Sequence, residues 1–437
     1  MGGRAVEVRS PFPLNAASMK KLALLALPFL ASVASAQYDP PNGLYGKIDA
    51  TDIRVMTWNV EDNLRTGEPK VEATNSWNSL ARIVAALRPD VLLLQEAGDN
   101  NCGGCVDTTS ELTQVIELFF HGGVDPWLGG NVTSYVQKYA PGYDLPYIFV
   151  STRSDAFNRN VIVSRFPFTD LNGDTVPTYS DAPFTTADDY APGLLGNAII
   201  RGLQMAEIDL PDATYSGDMV VMNMHLRSGG SSSDRAERLS AGRNIAYLVD
   251  YWYGGAGTGT PDPNSAVGDF PAATTILGAD TPVVLGGDWN EDELNNGRKG
   301  PVEWVERAQT TGGTDGTDRD RSDSTYDDAR SACFSGDRST QGTSKLDYVL
   351  WQDSIATLKN EFVFNANAIN SGCGGNFPTE LLGFPSGLPQ QTTTLASDHR
   401  PVIVDLALPL VPPTPPTPPR RSTTGGRPLG GPEVIGL

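Results

Sequence analysis

Histidine and positive charge are what this chain of 437 residues is short of: it has three histidines, and 32 lysines and arginines against 52 acids. Scarce histidine removes the clustered imidazoles of a catalytic zinc centre. Scarce positive charge removes built-in attraction for a polyanion. That disfavours a nucleic-acid-binding scaffold more than an enzyme, which needs only local charge or a divalent cation. Cysteine is also sparse, with four copies (Cys102, Cys105, Cys333 and Cys373). The Cys102–Cys105 spacing has no second pair nearby to complete a structural zinc site. An even count in an exported chain permits disulfides, of which 102–105 with 333–373 is the simplest pairing, with a redox Cys-x-x-Cys as a rival. No GxSxG elbow, GxxxxGK[ST] loop or HExxH helix occurs. The apolar run from Leu22 to Val33 is too short to span a bilayer comfortably.

That run has a telling setting. Met19-Lys20-Lys21 precedes it and Ala34-Ser35-Ala36 follows it, the charge, apolar core and small-x-small end of a secretory signal peptide cleaved before Gln37. Met19 is then the expected initiator, and the protein is expected to be secreted, extracellular or periplasmic, with no transmembrane anchor. Losing Arg4, Arg9, Lys20, Lys21 and Glu7 leaves 28 basic and 51 acidic residues, a net charge of −23. The expected organisation is a signal region over 1–36, a single domain over 37–408 with long loop insertions, and a disordered proline-rich tail over 409–437. Nothing in the pattern implies a stable protein partner, so a monomer is expected.

Within the domain, short β-branched runs alternate with helical patterns, as in a layered α/β fold. The runs predict strands at Ile53–Val60, Val91–Leu94, Tyr147–Val150, Asn160–Ser164, Gly196–Ile208, Asp218–Met224, Pro282–Leu285, Lys345–Trp351 and Pro401–Leu408. Residues 76–87 place Trp77, Leu80, Ile83, Val84 and Leu87 on one helical face, closed by Arg88-Pro89-Asp90. A second helix is expected over Ala236–Tyr251, with Leu239, Ile245, Leu248 and Val249 apolar. The stretches 169–196, 254–280, 312–342 and 370–394 read as loops. Within 312–342, Asp315, Asp318, Asp320, Asp323, Asp327 and Asp328 are spaced to bind a structural Ca²⁺ or simply to be solvated.

The chemistry collects at strand ends. The apolar run 282–285 enters a Gly286-Gly287 turn that delivers Asp288, Trp289 and Asn290. Other strands end or break at Asn59, Glu96, Arg159-Asn160, His225, Asp347, Asp398 and His399, a set holding two of the three histidines. Buried polar groups are costly unless paired, so one shared site is more economical than many separate accidents. Glu96 and Asp398, helped by Asn59, are oxygen ligands suited to a hard cation, Mg²⁺ or Mn²⁺, as one or two ions. Asp288 can orient or deprotonate water, a histidine near an Asp can be kept protonated to bind phosphoryl oxygen, and Asn290 can donate to a non-bridging oxygen. Together these describe metal-assisted attack of water on a phosphate ester.

The chain here resembles the endonuclease/exonuclease/phosphatase (DNase I-like) superfamily. The matching pieces run in family order: MTWNV (56–60), LLLQE (92–96), FNRNVIVSRFP (157–167), VVMNMHL (220–226), VLGGDWN (284–290), SKLDYVL (344–350) and SDHRPV (397–402). The resemblance implies an α/β four-layer sandwich, two packed mixed β-sheets flanked by helices, with the catalytic cleft at one sheet edge. It implies Glu96 as principal metal ligand beside Asn59 and Asp398, Asp288 at the attacking water, Asn290 and His399 at the phosphate, and a further histidine at His225. Asp347 is implied as the partner of a catalytic histidine, either His225 or His399. Asn160 departs from the glutamate of DNase I-like members, and Arg159 holds a phosphate or makes a surface ion pair. The implied activity is that of a secreted nuclease acting on DNA or RNA. Arg159, Arg227, Arg235, Arg238, Lys345 and Arg400 are expected to make its cleft locally positive. The alternatives are a sphingomyelinase-like lipid phosphodiesterase, using Trp252-Tyr253 or Phe377–Phe384 at a membrane, and a small-molecule phosphatase; the remote one is a non-catalytic exported binding protein.

Overall fold

In the computed structural model the described residues are 38–64, 76–98, 108–124, 131–132, 135–152, 154, 159–171, 179–182, 203–247, 278–292, 324–332, 336–369, 376–383 and 388–413. The cysteines, the export region and the Trp252-Tyr253 pair lie outside them. Twelve strands make two six-stranded sheets: β1 (Ile53–Asn59), β2 (Val91–Ala97), β3 (Tyr147–Val150), β4 (Arg159–Ser164), β5 (Tyr179–Ala182), β6 (Leu203–Ile208), β7 (Met219–His225), β8 (Val283–Asp288), β9 (Ser324–Tyr326), β10 (Asp347–Gln352), β11 (Thr357–Val363) and β12 (Val402–Ala407). Sheet one is ordered β11-β12-β1-β2-β4-β3 and sheet two β9-β10-β8-β7-β6-β5.

Each sheet has one parallel pair near its middle, β1 with β2 and β7 with β8, and is otherwise antiparallel. Parallel partners end at the same edge, so Asn59 and Gln95 face each other across one pair, and His225 and Asp288 across the other. The antiparallel neighbours begin at that edge: Asp347 of β10 pairs with Asp288, and β12 starts three residues after His399. The topology thereby brings residues more than 300 positions apart to one rim.

Two cores explain the unbroken apolar runs of the central strands. Along β1 and β2, Ile53, Val55, Val91 and Leu93 belong to one cluster, while Met56, Trp58, Leu92 and Leu94 belong to the other. A strand buried on both faces favours apolar residues on both; the charged exception on β1, Arg54, is paired with Asp405 on β12 at 2.6 Å. The inter-sheet core adds Val221, Val284, Val349, Val402, Val404 and Leu406. The outer core packs sheet one against helices α1 (Ser76–Leu87) and α2 (Thr109–Phe120), through Trp77, Leu80, Ile83, Leu112 and Phe119 among others. Helix α3 (Ser232–Tyr247) starts four residues earlier than expected. Ser231 and Asp234 exchange hydrogen bonds there, Asp234 N to Ser231 Oγ and Ser231 N to Asp234 Oδ2, in the manner of a capping box.

Several expectations are corrected. The 169–196 and 312–342 stretches contribute edge strands β5 and β9, and 370–394 contains short helices at Thr379–Leu382 and Thr392–Ala396. Strand β11 (TLKNEFV) has no sequence signal because its edge position leaves Thr357, Lys359 and Asn360 toward solvent. Asp327 is neither a calcium ligand nor solvated: it is fully buried, paired with Lys345 at 2.6 Å and accepting from Val349 N. Asp328 pairs with Arg338. Residues 409–411 make contacts rather than fray, with Ser216 N donating to Pro409 O and Val411 N to Thr214 O.

The glycine pair is also read differently by the fold. The strand does not end at Gly286; β8 continues through Gly286 and Gly287 to Asp288. A β-carbon at Gly286 would meet the Leu93 side chain across the sheets, and one at Gly287 would overlap the Met224 carbonyl oxygen. Glycine is there for close approach, not for a turn. Gly287→Ala is therefore expected to cost about 1–3 kcal/mol of stability, measured as a lower denaturation midpoint than wild type.

Candidate active site

The rim where the parallel strands end is a chain of contacts centred on Asp288. Its Oδ2 accepts from Asn59 Nδ2 at 3.1 Å, and its Oδ1 accepts from Asn290 N at 2.9 Å. His225 Nε2 lies 3.4 Å from Asp288 Oδ2 and 3.5 Å from Glu96 Oε1. His399 Nε2 lies 3.9 Å from the same Asp288 oxygen and 4.0 Å from Asp398 Oδ1. On its other side His399 Nδ1 is 2.8 Å from Asp347 Oδ2. The partner of Asp347, open from the sequence, is thus His399.

Backbone geometry explains how these groups are presented. Glu96 and Asn290 both adopt positive φ, 48° and 53°, which costs a non-glycine residue about 1–3 kcal/mol unless its surroundings over-determine it. Asn290 is pinned by its own N–H to Asp288 and by Nδ2 donating to Leu226 O at 3.1 Å. One of its amide protons is therefore spent on the backbone. His399 is fixed by Trp58 Nε1 donating to its carbonyl and by its own N–H to Ser397 Oγ, which in turn donates to Asn59 O. Trp289, between Asp288 and Asn290, is fully buried and serves as the peg that seats the loop.

The site has two electrostatic halves. Burial pushes the Asp288 carboxyl up to about 7, and the nearby Asp347 charge pushes the same way, while His399 and the Asn59 and Asn290 hydrogen bonds pull it back. For His399, burial opposes the charged ring, but Asp347, Asp288 and Asp398 more than offset that and raise it to about 10. His399 is thus a cation at neutral pH and a donor toward an anion.

The other half is a concentration of carboxylates. Glu61, which sequence reasoning missed, sits in a left-handed turn with φ 48° and accepts from Asp398 N at 2.9 Å. Loss of hydration raises its carboxyl, and the charges of Asp398 and Glu96 raise it further. Its signal was available, an acid two residues after Asn59, but it lies on a turn rather than a strand end. Glu61, Glu96 and Asp398, with the Asn59 amide beside them, are oxygen donors of the kind a hard divalent cation takes. Asp288, Asp347 and His399 also present one ligand-capable atom each within 4.8 Å of one another. A protonated imidazole has no lone pair to give a metal, so the oxygen set of Glu96, Asp398, Glu61 and Asn59 is the better-matched one. Gln341 Nε2 donates to Asp398 Oδ2 at 2.6 Å and holds that partly exposed carboxylate in place.

Arg159 and Asn160 are not joined to this chain of contacts by any of the hydrogen bonds described above. Arg159 pairs opposite Ala97 and its Nη1 donates to Ser151 O at 3.0 Å, while Asn160 is buried in β4. Two of the expected cleft cations are corrected. Lys345 is enclosed with Asp327, and Arg238 is buried against Glu291 at 2.6 Å. Arg238 instead braces the loop after His225, donating to Arg227 O and Gly229 O.

A family model described as Endonuclease/Exonuclease/phosphatase family matches residues 56–399. No curated protein matches the sequence. Similar solved structures include an endonuclease/exonuclease/phosphatase from Beutenbergia cavernae, 19% identical, covering 82% of this chain and 72% of that one, with a TM-score of 0.37. D. rerio TDP2 complexed with single-strand DNA product is 13% identical, covering 82% and 100%, at 0.40. The human Nocturnin catalytic domain with bound sulfate is 12% identical, covering 82% and 93%, at 0.38.

In the metal-free protein the His399 ring is expected to keep its proton until about pH 10. Asp347→Asn removes the carboxylate that touches the ring and is expected to bring the midpoint down toward 6.5. Nitrogen-15 NMR titration of the imidazole checks both, and a ring titrating near 6.5 in wild type would contradict the paired geometry.

Proposed function

Since the chain belongs to the endonuclease/exonuclease/phosphatase family, metal-dependent phosphoric-ester hydrolases, we propose that it is an exported phosphodiesterase that hydrolyses DNA or RNA. The observation that carries the catalytic reading is Asp288: a buried carboxyl raised to about 7, held through both oxygens, between His225 and the charged His399. A carboxylate with a pKa near the working pH is suited to take a proton from water in the rate-determining step.

In this mechanism Asn290 and His399 receive the non-bridging phosphate oxygens, the protonated ring meeting charge as it develops. Asp347 keeps that ring charged and aimed. Asp288 orients the attacking water and takes its proton as the new P–O bond forms in line with the departing ester oxygen, which is reprotonated from solvent. A Mg²⁺ or Mn²⁺ ion held by Glu96, Asp398, Asn59 and Glu61 would supply Lewis-acid stabilisation of the phosphoryl oxygens. His225, between Glu96 and Asp288, couples the carboxylate half to the water half.

Nucleic acid is the proposed substrate because a phosphodiester needs only local cations: Arg227 and Arg400, within two residues of His225 and His399, are only partly buried and Arg235 is exposed, while Lys345 and Arg238 are buried in ion pairs. Against a lipid substrate, Phe377 is partly buried and packs on the outer core. Export is supported by the Met19–Ala36 pattern.

Asp288→Asn and His399→Ala are each expected to lower kcat on plasmid DNA or RNA by about 10²–10⁴-fold with folding intact by circular dichroism, and EDTA to abolish wild-type activity. Full activity in either variant on every phosphodiester of a panel of DNA, RNA, sphingomyelin and bis-p-nitrophenyl phosphate would overturn the catalytic assignment. Cleavage of sphingomyelin alone would replace nucleic acid with lipid as substrate. Intact mass of the protein recovered from the medium or periplasm is expected to correspond to a chain starting at Gln37.

A further inference from the structure

Strand β2 runs in register beside β4 from Val91 opposite Ser164 to Leu94 opposite Val161, and then skips to Ala97 opposite Arg159. Gln95 and Glu96 therefore occupy a bulge, and Glu96 owes its positive φ and its outward aim to it. A bulge leaves ladder groups unpaired, so something must take them. Two of the carbonyls beside this one, Leu94 O and Val161 O, both accept from Asn223 Nδ2, at 2.9 and 3.1 Å. Asn223 belongs to β7 in the other sheet. Its Oδ1 accepts from Gln95 Nε2 at 2.7 Å, and Gln95 Nε2 also reaches Thr57 Oγ1 on β1 at 3.0 Å. Both amides are completely buried. The orientation of Asn223 is fixed, because backbone carbonyls can only accept and so must face its nitrogen.

The bulge is gripped from its other side as well: Gln95 O accepts from Val60 N and Glu96 O from Asp62 N, the turn that carries Glu61. Asn223 stands two residues before His225, on the same face of β7. One strand face thus delivers both the imidazole that contacts Glu96 and the amide that fastens its bulge.

We propose that Asn223 and Gln95 are positioning residues, an inter-sheet amide pair that holds the Glu96 bulge in its cation-binding conformation. This rests on the reading of Glu96 as a cation ligand. A polar pair buried between two sheets has a stability cost that packing alone does not require. Here it supplies directional hydrogen bonds at the one place where the ladder is broken. Outer partners that orient a metal ligand are worth about 10–100-fold in affinity.

Gln204 is the natural control. It joins the same network, accepting from Asn223 at 3.3 Å and donating to Phe149 O at 2.8 Å, but makes no bond to the bulge. The test is calorimetric titration of Mn²⁺ into substrate-free protein, with thermal unfolding alongside, for wild type, Glu96→Gln, Asn223→Leu, Gln95→Met and Gln204→Leu. Asn223→Leu is expected to weaken Mn²⁺ binding about tenfold or more and Gln95→Met in the same direction, whereas Gln204→Leu lowers the unfolding temperature with the Kd within about twofold of wild type. Gln95→Met leaves Asn223 in place and decides the matter if Asn223→Leu does not fold. If Glu96→Gln loses Mn²⁺ while the Asn223 and Gln95 variants bind like wild type, or if Gln204→Leu weakens binding equally, the positioning role is overturned and the cation reading stands. If wild type and Glu96→Gln do not differ, the cation reading itself falls, and this inference with it.

Discussion

Keeping the carboxyl of Asp288 away from water is the constraint from which the rest of the site follows. An uncompensated buried charge costs several kcal/mol, so its surroundings must be arranged in advance. Asn59 comes from sheet one, the Asn290 amide from the strained residue that follows, and the His399 charge from beyond the last loop. These groups do not remove the cost; they leave the carboxyl raised to about 7 rather than restored to its ordinary range. That residual discomfort is what suits it to the proposed role of base.

Around this group charge is sorted spatially. Asp347 and His399 form a hydrogen-bonded pair whose net effect is one retained proton, while Glu61, its carboxyl raised by lost hydration and by the charges of Asp398 and Glu96, marks the carboxylate-rich half. A phosphate ester approaching with a divalent cation would match both halves at once. A strongly acidic protein can therefore receive an anionic substrate: the cation and one imidazolium do what the overall charge cannot.

Much of this was legible before any coordinates. Strand ends carrying Asn59, Glu96, His225, Asp288 and His399 can be found because buried strands are apolar and a polar residue at their tip needs a reason. The central strands were found for the same cause, and the single face of α1 likewise. Of the four edge strands, only Tyr147–Val150 is legible. Thr357–Val363 is half solvated and carries no run, and Ser324–Tyr326 is too short to show one. Glu61 escaped because its place is set by two consecutive left-handed residues, Glu61 and Asp62, which no periodicity announces. Lys345 and Arg238 were misjudged as cleft cations because a lone basic residue does not disclose its partner; Asp327 and Glu291 are 18 and 53 positions away. The glycine pair looked like a turn because the sequence cannot show that another sheet lies against it.

The order of sheet one has a temporal meaning. Its strand Val402–Ala407 is inserted between Thr357–Val363 and Ile53–Asn59, so the first long strand of the fold waits for the last. The segments carrying Asn59 and His399 are joined across that late junction, Trp58 Nε1 donating to His399 O and Ser397 Oγ to Asn59 O. Until Val402–Ala407 docks, Ile53–Asn59 therefore keeps an open hydrogen-bonding edge, and the His399 imidazolium, three residues before that strand, is not held at the rim.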